Sequence, residues 1–238
     1  MDKDKEEYLE CEKRWVFGVL IFIAGFYGAF TYSIRGGVFC NAQTANFVLF
    51  AMELGKKNFS EAFYYLIPMG AYLLGAVFSE ALPNPVKKMR AVRWDTLLIA
   101  LEIIVVILLG FIPESAPFQI SQVAINFICS MQYNTFRQAQ GIPSATTFCT
   151  NHVRQIGVWT VKAFKNKNDK TYLKMLFHHI TMIVCFIIGA IISTVLCSLV
   201  EGKAIWFVLI PLAVLFFDFL YADLKKERSR FSAKPHGH

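Results

Sequence analysis

The chain has 238 residues, 55% of them hydrophobic and 15% aromatic, with a mean hydropathy of +0.46 and a formal net charge of +7. Such an apolar composition excludes a disordered chain and an ordinary soluble domain, and it predicts an integral membrane protein. The positive charge falls in short blocks between apolar stretches, a pattern that orients membrane spans and argues against nucleic acid as a partner.

In chain order, the opening Met1-Asp2-Lys3-Asp4-Lys5-Glu6-Glu7 mixes both signs, and no small-residue cleavage site follows the first apolar run. No cleaved signal peptide is expected. Six segments, at about 15–34, 61–82, 94–113, 118–138, 173–199 and 204–222, meet the requirement of roughly 20 predominantly apolar residues that cross a bilayer. Two polar breaks fall between them, Gly36 to Asn46 and Gly141 to His152, at a spacing of 105 residues. Each is followed by a second matching block, Tyr72-Leu73-Leu74-Gly75-Ala76 and Phe186-Ile187-Ile188-Gly189-Ala190, where the spacing is 114. The stretch from Asn41 to Leu54 is too short to cross, and Thr146 to Phe164 carries His152, Arg154 and Gln155, so both are expected as half-helices or re-entrant segments.

Lysine and arginine set the expected topology. The blocks Lys87-Lys88-Arg90-Arg93, Lys165-Lys167-Lys170-Lys174 and Lys225-Lys226-Arg228-Arg230 belong on the cytoplasmic side, and the nearly uncharged turns at Pro113-Glu114-Ser115 and Glu201-Gly202-Lys203 belong outside. Lys56-Lys57 is the exception, since it must face outward. Both termini are then cytoplasmic, and each half holds three spans, so the second copy enters from the opposite side. The expected fold is all-α and polytopic: six transmembrane helices plus two half-helices, arranged as an inverted repeat. Residues 1–14 form a cytoplasmic segment, 15–113 the first repeat, 114–224 the second, and 225–238 a basic cytoplasmic tail. Inverted repeats with interrupted helices are typical of transporters, whose sites form where the interruptions meet near mid-depth.

The first break offers Asn41, Gln43, Thr44 and Asn46, neutral donors and acceptors that either line a solute path or cap the short helix. The second offers Thr146, Thr147, Thr150, Asn151, His152 and Arg154, and there Arg154 either acts on solute or anchors at the interface. Between them runs an unusually polar span with Gln122, Asn126, Gln132, Asn134 and Arg137, whose helical spacing turns one face inward, toward a wet path or toward interhelical hydrogen bonds. Glu102 lies deep in an apolar run and must pair, stay protonated or face water, which makes it, with His152, a candidate for ion coupling. Arg35 ends the first span, where it binds an anion or anchors at the interface. His178-His179, next to a basic block, are expected as an interfacial pair. The six cysteines show no CxxC spacing and are expected as reduced, buried thiols with no metal. No nucleotide loop, GxSxG or HExxH occurs, so neither a cofactor nor enzymatic activity is expected.

With these residues laid out, the chain resembles the YoaK-like family, membrane proteins grouped as domain of unknown function 1275. The resemblance rests on Ala24-Gly25-Phe26-Tyr27-Gly28-Ala29, on Gly36-Gly37-Val38-Phe39 running into Gln43-Thr44-Ala45-Asn46, on Ser130-Met131-Gln132-Tyr133-Asn134, and on Ala145-Thr146-Thr147 running into Cys149-Thr150-Asn151-His152. It implies a six-span protein of the bacterial inner membrane that moves a small molecule. This chain departs from the family pattern: members usually carry Thr-Gly-Asn in each break, and many carry an Asp where Gly28 stands here. The expected function is a secondary transporter or facilitator of a small polar solute, with a passive channel or a non-transporting scaffold or sensor as alternatives. The expected partners are that solute and the bilayer, with a homo-oligomer left open.

Overall fold

The computed structural model describes residues 8–89, 91–231, 233 and 235. The charged opening segment 1–7, Arg90 of the first basic block and most of the tail beyond Phe231 lie outside the described residues, as do the side chains of Lys88 and Met89.

Helix dominates. The helices are α1 (Arg14–Ile34), α2 (Gln43–Gly55), α3 (Phe59–Ala81), α4 (Pro83–Met89), α5 (Trp94–Gly110), α6 (Phe118–Thr135), α7 (Thr150–Lys165), α8 (Lys170–Val200) and α9 (Leu209–Tyr221). Among the described residues the chain is all-α apart from a two-stranded hairpin of two residues a side, β1 (Gln138–Ala139) with β2 (Ile142–Pro143), which opens the second break. Among the described residues, three helical stretches are long and apolar enough to cross a membrane: Arg14–Ile34, Phe59–Lys87 and the 57-residue Lys170–Lys226, which contains both α8 and α9. The expected spans at 94–113 and 204–222 come out shorter. α5 has 17 residues and α9 only 13, because the chain runs as a 3-10 helix over Glu201–Val208 before α9 begins. α6 reaches 18 residues but carries the polar side chains described below.

Long-range packing joins the two halves of the chain. α1 lies along α8, α3 lies along α6, the short helices α2 and α7 lie against α3 and α8, and α5 pairs with α9. Glycine permits these approaches. A methyl group added at Gly189 of α8 would overlap the Phe22 carbonyl of α1, one at Gly25 of α1 would overlap the Phe186 carbonyl of α8, and one at Gly75 of α3 would overlap the Phe127 carbonyl of α6. Backbones this close leave no room for a side chain. The core between them holds Phe17, Leu20, Phe26, Tyr27, Phe30, Leu98, Ile99, Ile125, Leu212 and Phe219.

Ionic clasps close both ends of the bundle. At one end Arg35, only 2% exposed, is paired with Glu114, which also accepts the Gly202 N–H at 2.8 Å. The bonded Arg35 guanidinium, helped by that N–H, holds the Glu114 carboxyl below its ordinary range. Arg35 is therefore neither a free anion site nor a simple interfacial anchor, but the tie between the α1 terminus, the α5–α6 turn and the α8 terminus. At the other end the Arg93 N–H donates to Asp223 at 2.8 Å and its guanidinium pairs with Glu227 at 2.6 Å, while Glu227 accepts the Glu10 N–H at 2.8 Å. Burial alone would raise Glu10, but the Lys13 and Lys226 ammonium groups bonded to it bring it below the ordinary value.

Candidate functional site

Both breaks begin with a left-handed turn. Gly36 and Gly37 have φ of 80° and 70°, and Gln140 and Gly141 have φ of 49° and 76°, which reverse the chain where it leaves α1 and the stretch after α6. Each break is then pinned by the side chain at the first turn of the following helix. Asn46 donates to the Phe39 carbonyl at 2.7 Å and accepts the Phe39 N–H at 3.1 Å, seven residues back. His152 makes the same span, with Nε2 2.8 Å from the Ala145 carbonyl. These two polar side chains therefore complete the fold of their own breaks. Asn46→Ala should cost about 1–3 kcal/mol, because it strands two part-buried backbone groups of Phe39 without partners; thermal unfolding of the purified variant in detergent measures it, and an unchanged midpoint would contradict the pinning.

The expected inward polar face of α6 is present. Gln122 donates to the Arg35 carbonyl at 2.6 Å and to the Tyr64 hydroxyl, and Asn126 Oδ1 accepts from Gln43 Nε2 at 2.8 Å. Cys129 Sγ lies 3.8 Å from Cys40 Sγ, and Gln132 Nε2 donates to the carbonyls of Leu20 and Thr146 at 3.3 and 3.2 Å. Asn134 donates to Ser79 at 2.8 Å, and Arg137 pairs with Glu80 at 3.0 Å. The first break thus meets α6 at Asn126 and the second meets it at Gln132, separated along the axis by about 9 Å at 1.5 Å per residue. The first break meets α6 near its middle and the second meets it in its last turn.

Along this seam and on the helices beside it several buried polar atoms have no hydrogen-bond partner among the described residues: both oxygens of Glu102, the Tyr27 hydroxyl, Gln132 Oε1, Ser130 Oγ and Thr146 Oγ1. Tyr27 stands within electrostatic range of Glu102, Cys40 and Cys129, so the α5 carboxyl faces the crossing of α1, α6 and the first break. Thr147 is buried beside Tyr72. Two cavities open at the Arg137 end. One is lined by Tyr133, Asn134, Arg137, Pro143, Ser144, Ala145, Phe148 and Asn151, and the other by residues that include Ser79, Glu80, Arg93, Asp95, Thr135 and Arg137.

The structure does not gather every expected residue. Asn41 is buried and donates to the Ala24 carbonyl at 3.0 Å, tying the first break to α1. Thr44 and Thr150 sit on exposed helix faces, away from Gln43 and His152. Arg154 is exposed and donates to Asn151 at 3.1 Å, outside the α6 seam. His178 and His179 are 5% and 1% exposed, so they are not an interfacial pair. The sequence signal for Tyr27 was its place beside Gly28 in a small-residue stretch, which reads as packing and hides the hydroxyl.

Geometry of this kind defines an all-α protein with apolar helices and two chain breaks that converge on a buried polar seam. A family model described as a protein of unknown function (DUF1275) matches residues 16–217, and the chain belongs to that family. Neither the curated proteins nor the solved structures gave a match.

Proposed function

We propose that this protein is a secondary transporter or facilitator of a small polar solute, seated in a bacterial cytoplasmic membrane with both termini inside. The observation that carries this reading is the α6 seam, a file of buried amides, thiols and hydroxyls that meets both breaks and contains unpartnered polar atoms. A bilayer-embedded protein with no path to line gains nothing from leaving such groups unpaired.

An inverted repeat of two three-span halves accounts for the packing. α1 on α8 and α3 on α6 are exchanged by such a symmetry, as are α2 on α3 and α7 on α8. Gly75 against Phe127 and Gly189 against Phe22 are likewise mates. In this reading the helices cross six times and α2 and α7 are re-entrant. The Arg35–Glu114 clasp closes the outer end, and the cavities at Arg137 open toward the cytoplasm. Rocking of the halves would exchange access. Gln43, Asn126, Gln132, Thr147, Asn134, Arg137 and Asn151 line the solute path, and Glu102 and His152 are its candidates for ion coupling. A scaffold is the second reading, favoured by the internal partners of Asn46 and Asn41.

Purified protein in liposomes, offered a panel of labelled neutral amino acids, polyols and amides, separates them. Saturable uptake above empty liposomes is expected, and it should be abolished in the Gln43→Leu/Asn126→Leu double variant. Replacing both partners of a hydrogen bond by apolar groups costs little in itself, but Gln43 also donates to the Cys40 carbonyl at 3.3 Å and accepts from Asn46 at 3.2 Å, so thermal unfolding of the double variant is measured beside its uptake. Wild-type uptake by the double variant would overturn the site, and no uptake across the panel would favour the scaffold.

A further inference from the structure

His152, His178 and His179 are buried together behind the second break, and their hydrogen bonds fix their protons. His152 Nδ1 lies 2.9 Å from His179 Nδ1, and His152 Nε2 lies 2.8 Å from the Ala145 carbonyl. A carbonyl only accepts, so His152 Nε2 carries the hydrogen; in the neutral ring its Nδ1 is bare and accepts from His179 Nδ1–H. The Ser144 hydroxyl donates to the Ile142 carbonyl at 3.0 Å and therefore accepts from His178 Nε2–H, 2.7 Å away. The bare nitrogens left over are Nε2 of His179 and Nδ1 of His178.

An added proton has two places to go. On His179 Nε2 it makes an imidazolium whose Nδ1–H still points at the His152 lone pair, and that bond becomes charge-assisted and stronger. On His178 it meets Arg14, the cation of α1 that acts on this ring. A second proton on the pair would set N–H against N–H across the same short gap and break it. Among the described residues, the groups that act on the three rings are the rings themselves, Arg14, the Ala145 carbonyl and the Ser144 hydroxyl, with no carboxylate to pair a second charge.

We propose that His152 and His179 form a binding site for one shared proton, joining the second break to α8, and that this proton is the ion coupled to movement of that break. The coupling half rests on the transport reading; the proton site does not. His152 is on α7 and holds Ala145 of the break, while His179 is on the long helix packed against α1. One proton tightens that joint and a second opens it.

Protein labelled with 15N-histidine, in lipid bilayers, is titrated by NMR from about pH 8 to about pH 4, the range in which imidazole charges. At the upper end the expected forms are Nε2–H for His152 and His178 and Nδ1–H for His179. On acidification the His152 and His179 signals, assigned by their loss in His152→Gln and His179→Gln, should move together over one single-proton step. His178→Gln, whose amide can still donate to Ser144, should leave that midpoint within about 0.3 pH unit, well inside the spread of histidine values among proteins. Different tautomers, separate midpoints or no titration of either ring would overturn the site. Should the His→Gln variants not fold, labelling by sequential neighbours assigns the wild-type signals and the same outcomes decide. In liposomes, solute-driven proton movement should be lost in His179→Gln and kept in His178→Gln. Uptake without proton movement in the wild type would overturn the coupling while leaving transport intact, and the titration needs no solute.

Discussion

Gly189→Leu should remove most of the folding stability of this protein, and Gly75→Leu should do the same. Inserting side chains into a packed core costs about 1–3 kcal/mol when flexible neighbours can yield. At Gly189 the neighbour is the Phe22 carbonyl and at Gly75 it is the Phe127 carbonyl, so the obstacle is backbone and the loss belongs at or above the top of that range. Helix propensity works the other way, since leucine is better than glycine by about 1 kcal/mol in a helix interior, and the steric loss must exceed that gain. Gly70→Leu, on the same helix as Gly75 but with open space where its side chain would go, is the control and should be neutral or slightly stabilising. Thermal unfolding and monodispersity in detergent measure all three. Because each of these glycines would drive a side chain into a backbone carbonyl of the facing helix, comparable damage is expected, and a well-folded Gly189→Leu variant would remove the basis for the close helix approach.

These crossings were partly legible in the sequence. Tyr72-Leu73-Leu74-Gly75-Ala76 and Phe186-Ile187-Ile188-Gly189-Ala190 are recognisable as copies, and small residues in apolar runs signal close helix approach. Both breaks and the polar face of α6 were legible for the same reason, that polar groups within an apolar chain need a buried partner. What composition does not reveal is which partner. Asn46 and His152 bond to backbone seven residues behind them, which requires the chain to have reversed at Gly36-Gly37 and Gln140-Gly141, and no helical or strand periodicity encodes that reach. The two histidines of α8 look interfacial because Lys170 and Lys174 precede them. Yet α8 runs 31 residues, about 47 Å at 1.5 Å per residue, so His178 and His179 lie more than two turns inside it, level with the second break. Thr44 fails for the opposite reason: one residue from Gln43 is about 100° around a helix, and the face it occupies is the outer one.

Glu102→Leu should make the protein more stable and, on the transport reading, abolish uptake. Both carboxyl oxygens of Glu102 are buried without a hydrogen-bond partner among the described residues, and the side chain is fully covered. Burying a polar group in that condition costs about 1–3 kcal/mol on protein mutational scales, and leucine, of similar volume and packed among Leu98, Ile99 and Val106 of the same helix, recovers that cost. A gain of about 1–3 kcal/mol in unfolding free energy is therefore expected from the substitution. Glu102→Gln keeps the shape and a donor but cannot exchange a proton, and it should fold like the wild type. On the transport reading, a group that costs stability is retained for what it does in the path. If the transport reading holds, uptake in liposomes is lost in both variants, in one with stability raised and in the other with stability unchanged, which separates a working carboxyl from a structural one. Undiminished uptake by Glu102→Leu would show that the path does not use this side chain, and a loss of stability in the same variant would show that the carboxyl has a partner in the folded protein.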